Sequence, residues 1–504
     1  MTPESLKQQL SQQYKLVCFE DFAKLTEHTG ILYTVFQQCY QSEYQPQQRL
    51  IFYTQHRLSL NQLCHLQLAA TLTDISNYFI MVCSPHDLTD DLIIANRRHG
   101  NDQTVIECKI VDVNSEEFLS TEFVSLDTLC PLPWMHLVVT NLGEIGPCCY
   151  SSEILGHITQ HQMQDVFHSK SMQQIRWQMT QGEKPKSCEL CFKQEAHNQR
   201  SPRHHMLGLY QKQLLSTYIV DPKIRSLDLK LGNTCNFKCK ICNKDFSSQF
   251  ASEELKHATT DQKIVEIRRA IDLGKWYDNN ENFLDQLEPI WSDLINIDIL
   301  GGEPFLLKNL PEFLDHVVDS EHAKHIRLHF NTNGSIFPEK LIDNLNKFQS
   351  VDIAISIDNI GQQFEIERGG NWDNIEHNVH QFLSLPQTKF RSYIYCTVNI
   401  QNVLDLDELY QWADHIGIDV VLSWLHAPLY FSIDNLTPKG KDLVVSKYQD
   451  STRPSLKLIA NKVLNSPGSD GTEFVAAMRR FDQRRQQDFL LTHKTIAIAM
   501  GFVV

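Results

Sequence analysis

Six apolar runs, each followed by helix-capable sequence, constrain this chain more than any other feature. They are SLDLKLG (226–232), INIDILGG (295–302), IRLHFNTNG (326–334), VDIAISID (351–358), SYIYCTVN (392–399) and DVVLSWLH (419–426). Strand-length runs alternating with helical sequence predict parallel βαβ units with the helices outside. Six such units are too few for a complete eight-fold barrel, so the expected fold is α/β, built on an open (β/α)6 partial barrel. Ligands of such sheets sit beyond the C-terminal ends of the strands, and polar or Gly-rich sequence follows each run at that end.

The first run leads directly into Cys235, Cys239 and Cys242, in LDLKLGNTCNFKCKIC. Three and two intervening residues let one loop wrap a corner of a cubane, with each thiolate facing a different iron. Cubane clusters are ordinarily held by four thiolates. Three leave one iron open to a substrate or cofactor. Zinc is the alternative, although the loop itself holds neither a nearby His nor a fourth Cys. The start of the chain, MTPESLKQQLSQQYKL, lacks the apolar core of a secretory signal, which points to a cytoplasmic protein. In a reducing compartment, clustered thiols are metal ligands or catalytic groups more often than disulfides.

The C-x3-C-x2-C loop after a first strand resembles the signature of the radical S-adenosylmethionine (SAM) superfamily, and the likeness covers roughly residues 220–430. The resemblance implies a [4Fe–4S] cluster on Cys235, Cys239 and Cys242. Its open iron would chelate the amino and carboxylate groups of SAM. One electron would then split the C5′–S bond, giving methionine and a 5′-deoxyadenosyl radical that abstracts hydrogen from a substrate. The position before the last cysteine is usually aromatic in the family and is Ile241 here. Gly301-Gly302-Glu303-Pro304, after the second run, looks like the family's GGEP, whose glycines permit close backbone approach and whose acceptors suit the methionyl ammonium. Ser356 and Asp358 fall where family members bind the ribose hydroxyls; strand-end capping is the alternative. Asn399 is a candidate for ribose or adenine, and Arg368, with its bidentate fork, for the SAM carboxylate. Asn331, Thr332 and Asn333 close the third run and have no assigned role.

Four further cysteines form a second set. Cys130 and Cys148 flank a strand–turn–strand, with Asn141-Leu-Gly143 as the turn, and Cys188 and Cys191 make a C-x2-C. Four thiolates suit either a [4Fe–4S] cluster or zinc. Cys149 is an alternate to its neighbour Cys148. The spacing through Gly143, the LGHI at 155–158 and the final C-x2-C are similar to the SPASM and twitch auxiliary-cluster domains. That resemblance favours Cys148 and implies a second iron–sulfur cluster. Such domains usually follow the radical core, whereas this one precedes it.

The remaining sequence completes the expected organisation. Residues 1–125 read as an α/β unit of unknown role, with strands at RLIFYT, YFIMVCS and VIECKIVDV and a helix at 60–72. Residues 126–205 read as the twitch-like domain, including a helix over Met163–Met179. Residues 220–430 make the core, and 431–504 a helical cap that seals the barrel mouth. Cys18, Cys39, Cys64, Cys83, Cys108 and Cys396 stand singly and read as small buried hydrophobes. Arg200, Arg203, His204 and His205 read as a solvated linker, and Ile496–Val504 as a tail packed on the body. A net charge of −15 argues against nucleic acid, and no apolar run reaches the roughly 18 residues that span a bilayer. The expected partners are a peptide or small-molecule substrate and an electron donor such as flavodoxin or ferredoxin. The competing expectation is a non-catalytic, cluster-bearing or zinc-stapled binding module on a degenerate barrel.

Overall fold

The computed structural model describes residues 128–503 apart from 197–200, 215–217, 219–220 and 281, together with five strands nearer the N-terminus. Contacts divide the chain into two compact units. The first comprises Met1–Leu137, Gly146–Leu155 and Gln164–Ile224, and the second Val138–Ile145, Gly156–Met163 and Arg225–Val504.

In the first unit, strands β1 (Lys15–Cys18), β2 (Leu50–Thr54), β3 (Phe79–Cys83), β4 (Asp91–Gly100) and β5 (Gln103–Asp112) form one sheet in chain order. The first three run parallel and the last two are antiparallel. Three of these strands are the expected ones. The helix expected at 60–72, and the burial of Cys18, Cys39, Cys64, Cys83 and Cys108, lie outside the described residues. The cysteine-bearing segment packs its own core from Leu129, Cys130, Trp134, Met135, Ile175 and Met179.

Two expectations are corrected in this unit. The single helix over Met163–Met179 is two, Met163–Phe167 and Lys170–Thr180, because Ser169 turns extended and caps the second by accepting from Met172 N. Arg200 lies outside the described residues, but the basic stretch that follows it is not a solvated linker. The helix Pro202–Gln213 begins there, and Arg203 is buried. Its guanidinium donates Nε to Glu195 Oε1 (2.9 Å), Nη2 to Oε2 (2.6 Å) and Nη1 to the Leu129 carbonyl (2.8 Å). A bidentate carboxylate offsets the cost of desolvating the charge, and spacing along the chain cannot reveal such a partner.

The second unit holds the six expected strands: β9 (Ser226–Lys230), β10 (Asn296–Leu300), β11 (Arg327–Thr332), β12 (Ser350–Ser356), β13 (Phe390–Val398) and β14 (Asp419–Trp424). All neighbours are parallel and stand in chain order, as a run of βαβ units requires. The sheet continues past β9 through β6 (His136–Val139), β7 (Glu144–Gly146) and β8 (Gly156–His157), the hairpin turning at Gly143 with φ +84°.

Side chains alternate across each strand, and the two faces differ in chemistry. Leu227, Leu229, Ile297, Ile299, Leu328, Phe330, Ile353, Ile355, Ile394 and Cys396 are fully buried on one face. Helices such as Leu310–Asp319 and Trp372–Ser384 bring Phe313, Leu314, Val379 and Phe382 as equally buried residues. Each such side chain contributes roughly 1.5–3 kcal/mol, so this layer carries much of the unit's stability. The other face is mostly polar, with Asp228, Lys230, Asp298, His329, Asn331 and Asp352 on it. After β14 the chain is helical, at Pro438–Tyr448, Pro454–Leu464, Thr472–Arg485 and Lys494–Ala499. The tail packs as expected, burying Ile496, Ala497, Ala499, Met500 and Phe502. No helix among the described residues is long and apolar enough to cross a membrane.

Candidate active site

The three-cysteine loop leaves the C-terminal end of β9 at Gly232, whose φ of +116° turns the chain. A Cβ there would lie 2.4 Å from the Gly274 carbonyl oxygen, so only glycine fits. The Gly232 carbonyl accepts from Asn141 Nδ2 at 2.8 Å, bracing the turn from the hairpin side. Further along, Ser248 Oγ accepts from Cys235 N (3.1 Å), and Ser247 Oγ donates to the Phe237 carbonyl (2.5 Å). Ser247 also caps the helix Ser248–Lys256, so the loop is pinned to the start of that helix. Cys242 N donates to the Cys239 carbonyl (3.0 Å), closing a tight turn, and Lys240 N to the Glu367 carbonyl (2.8 Å).

Burial pushes the thiols up, Cys235 to about 12 and Cys239 and Cys242 likewise above their ordinary value, with repulsion from the neighbouring sulfurs adding to it at Cys235 and Cys242. Left alone they stay protonated; a bound cation supplies the stabilisation that thiolates need. The Phe237 N–H (3.4 Å) and Asn333 Nδ2 (3.9 Å) point at Cys235 Sγ, and such donors favour the thiolate. Among the described residues, no three His, Cys, Asp or Glu side chains converge as one metal ion would require. A cubane places each ligand on a separate iron, so its sulfurs stand apart.

Beside this loop lies the Gly301–Pro304 turn. Gly302 N donates to the Gly232 carbonyl (3.2 Å) and Glu303 N to the Thr234 carbonyl (2.8 Å), locking the two turns together. A Cβ on Gly302 would stand 2.2 Å from the Thr234 oxygen, and one on Gly301 2.7 Å from the Gly232 oxygen. Glu303 is fully buried and accepts from Thr332 Oγ1 (2.7 Å), Asn333 N (2.6 Å) and Phe305 N (3.2 Å). Pro304 opens the short turn Pro304–Leu306 held by that last bond. All three donors are neutral, and burial raises the Glu303 carboxyl to about 7. A buried carboxylate with neutral partners fits a cationic ligand.

Glu303 sets a pH dependence whose sign follows from that shift. The folded-state value is raised, so the protonated form is favoured in the native chain. The contribution is fully present below about 4.5 and is lost as pH rises through about 7. The ligand-free wild type should therefore lose stability between pH 5 and pH 8 relative to Glu303→Gln, whose neutral amide does not titrate. Denaturant midpoints of both proteins at the two pH values check this; parallel changes would refute it.

The other expected site residues lie at neighbouring strand ends. Asp358, past the end of β12, accepts from Arg368 Nη1 (2.5 Å) and from Thr397 N (2.8 Å). Arg368 is buried, and the Asp358 carboxylate beside it holds its charge, while its Nε is buried without a hydrogen-bond partner. Asn399, past the end of β13, donates Nδ2 to the Thr397 carbonyl and accepts from Gln401 N, both at 2.9 Å. Ser356 is half-buried at the end of β12. Asp358 and Asn399 thus already bond within the chain, while Arg368 Nε keeps an unused donor.

Thr332 and Asn333, which the sequence singled out without a role, orient Glu303. Other contributors were invisible in the sequence. Lys240, between two cysteines, is fully buried. The C-terminal helices grip the loop's surroundings: Arg485 Nη2 donates to Glu253 Oε2 (2.8 Å), and His493 Nε2 lies 3.0 Å from Glu367 Oε1. No local signal identifies partners more than a hundred residues apart.

The second cysteine set gathers within the first unit. Cys130 is buried in the segment core, with Cys148 and Cys188 packed against it. Cys188 ends the turn Lys186–Cys188, and Cys191 follows in the helix Glu189–Ala196. Ser152 N donates to the Ser187 carbonyl (3.1 Å), tying the Cys148 and Cys188 segments. Burial raises Cys130 to about 12 and Cys188 to about 11, and the four thiols repel one another as thiolates. Cys149 is exposed, whereas Cys148 is half-buried beside the others.

Comparison with known proteins bears on both sets. Residues 229–413, which include the three-cysteine loop, match the model of the radical SAM superfamily. Residues 229–413 are a radical SAM domain. Such a domain implies a [4Fe–4S] cluster and SAM, and the donor chemistry of the loop and of Glu303 fits both. Residues 130–192, spanning the second set, match SPASM, an iron–sulfur cluster-binding domain. The SPASM segment precedes the radical SAM domain, as the sequence indicated. Among relatives, a probable GTP 3′,8-cyclase of Methanococcus maripaludis is 26% identical over 182 residues, 35% of this chain and 52% of that protein. The radical SAM cyclopropyl synthase TigE of Paramaledivibacter caminithermalis is 24% identical over 244 residues, 46% of this chain and 49% of that protein. The chain thus spans about half the length of the curated relatives it matches. The crystal structure of Streptococcus suis SuiB bound to S-adenosylmethionine aligns over 58% of this chain and 64% of that one, at 14% identity. Its TM-score of 0.30 is too low to bear on fold or function.

Proposed function

We propose that this chain is a radical SAM enzyme that abstracts hydrogen from a substrate C–H bond. The observation that carries the reading is the cysteine loop locked beside a buried carboxylate that lacks a cationic partner. In this reading Cys235, Cys239 and Cys242 hold a [4Fe–4S] cluster. Glu303, backed by the close approach of Gly301 and Gly302 and by the Pro304 turn, takes the ammonium of SAM. The free Nε of Arg368 takes its carboxylate, and Ser356, Asp358 and Asn399 form the ribose and adenine side. When bound, the reduced cluster supplies the electron that splits SAM into methionine and a 5′-deoxyadenosyl radical.

Cys130, Cys148, Cys188 and Cys191 hold an auxiliary cluster, with Cys148 favoured over the exposed Cys149. The domains run as 1–125, 126–205, 220–430 and 431–504, the last closing the site against solvent, since a primary carbon radical must be kept from stray hydrogen donors. The SPASM match supports a peptide as substrate ahead of a small metabolite. The electron donor is a flavodoxin or ferredoxin and the setting cytoplasmic. The deciding experiment is anaerobic reconstitution followed by SAM and dithionite, with chromatography for 5′-deoxyadenosine. Its formation is the expected result; none from a protein with verified cluster would favour a binding module.

A further inference from the structure

The polar face of the parallel sheet has a chemistry that the SAM site does not use. Closed barrels fill their interiors with layers of branched apolar side chains. Here the apolar side of the inner strands faces the helices, and most of the opposite positions are polar, Leu300, Ala354 and Val421 excepted. Register pairs Asp228 with Asp298, Asp298 with His329, and His329 with Asp352, so these residues form one layer across β9 to β12. The next layer toward the cysteine loop holds Lys230, Leu300, Asn331, Ala354 and Tyr393. Both layers lie below the strand ends that carry the cysteines and Glu303.

Most charge on this face is matched. Lys230 Nζ donates to both oxygens of Asp228 (2.9 and 2.8 Å), and Arg327 pairs with Asp352. At the open edge, Arg391 stands over the Tyr393 ring, opposite the exposed Asp419. Between these pairs runs a chain of three groups. Asp298 Oδ1 lies 2.9 Å from His329 Nδ1, and His329 Nε2 lies 3.3 Å from the Tyr393 hydroxyl. Asn296 Nδ2 donates to Asp298 Oδ2 at 2.8 Å. With the imidazole in its neutral form, the Asp298 carboxylate accepts from Nδ1–H, which leaves Nε2 to accept from the tyrosine O–H. The chain therefore ends on phenolic lone pairs. Beside it, the side-chain amide oxygen of Asn331, Oδ1, is buried and has no partner. The side chains of His329 and Asp298 keep 20% and 27% of their surface open, so the row is reachable. Open capacity here is for accepting, and a buried acceptor left unmet costs free energy until a donor arrives.

We propose that Asp298, His329, Tyr393 and Asn331 form a substrate-contact surface that receives a nitrogen group donating hydrogen bonds, an amine or amide N–H. This rests on the radical SAM reading for its purpose and not for its test. Asp298 is a positioning residue that fixes the ring of His329, and Tyr393 and Asn331 supply the acceptors.

The test uses the full chain labelled with [13C]histidine, the His329 signal being identified by its loss in His329→Gln. Three probes are titrated: butylammonium, N-acetyl-lysine amide and butyrate. The first two should move the His329 signal and butyrate should not. Preference for N-acetyl-lysine amide indicates a peptide source, and preference for butylammonium a free amine. Asp298→Asn, or Tyr393→Phe if that variant misfolds, should weaken binding by at least about tenfold. Butyrate moving the signal in place of the amines, no movement with any probe, or equal affinity in a folded variant would each overturn the proposal. None of these outcomes depends on SAM cleavage, so failure here and failure of the enzymatic reading are separable.

Discussion

Replacing Cys235, Cys239 and Cys242 together by Ala is expected to abolish 5′-deoxyadenosine formation and to remove about four irons per chain. The loop offers no substitute ligand: its other side chains from Asn233 to Asn243 are amides, a threonine, a phenylalanine, an isoleucine and lysines. Folding should survive, since the loop's backbone is held by Ser248 Oγ, the Glu367 carbonyl and Glu303 N through bonds that do not pass through the thiols. The metal that remains then reports on the second set alone. About four irons left would support a cluster on Cys130, Cys148, Cys188 and Cys191. One zinc would make that set a structural staple. Retention of all the iron would mean the loop is not a cluster site, and the enzymatic reading would fall with it.

Much of the second unit was legible because its signals are local. Each β-run is bounded by turn chemistry, and Cys235, Cys239 and Cys242 lie within eight residues of one another. The polar alternation in SLDLK, NIDIL and RLHFN was equally visible, but not its direction. Whether Asp298 and His329 face helices or open space depends on which face the helices cover, and that is settled only by packing. Arg203 was misread for a related reason: a basic residue looks solvated until its partner, Glu195, folds back onto it. Lys240 is a sharper case. Sequence would place a lysine between two cysteines in solvent, whereas the loop turns it wholly inward. Its ammonium has no hydrogen-bond acceptor, and burial lowers it to about 8. Contacts such as Arg485 to Glu253, 232 residues apart, belong to tertiary structure alone.

The Gly301-Gly302 pair shows what a short motif encodes physically, and Gly302→Ala should have a large effect on the site. The new Cβ would stand 2.2 Å from the Thr234 carbonyl oxygen, which is backbone and cannot rotate away. Either the Gly301–Pro304 turn or the cysteine loop must move, breaking the bonds from Gly302 N to Gly232 and from Glu303 N to Thr234. Overpacking of this kind costs about 1–3 kcal/mol. The larger consequence is geometric, because Glu303 and the cysteines lose their fixed separation. Misplacement by about 1 Å can cost a factor of about 100 in rate, so SAM cleavage should fall by that order while the iron content is largely kept. Gly417→Ala is the control. It has φ +76° and nothing within 4 Å of the added Cβ, so it carries only backbone strain, about 1 kcal/mol. That variant should melt earlier yet cleave SAM at the wild-type rate. If Gly302→Ala cleaves equally well, the two turns are not held in the register that makes Glu303 part of the site.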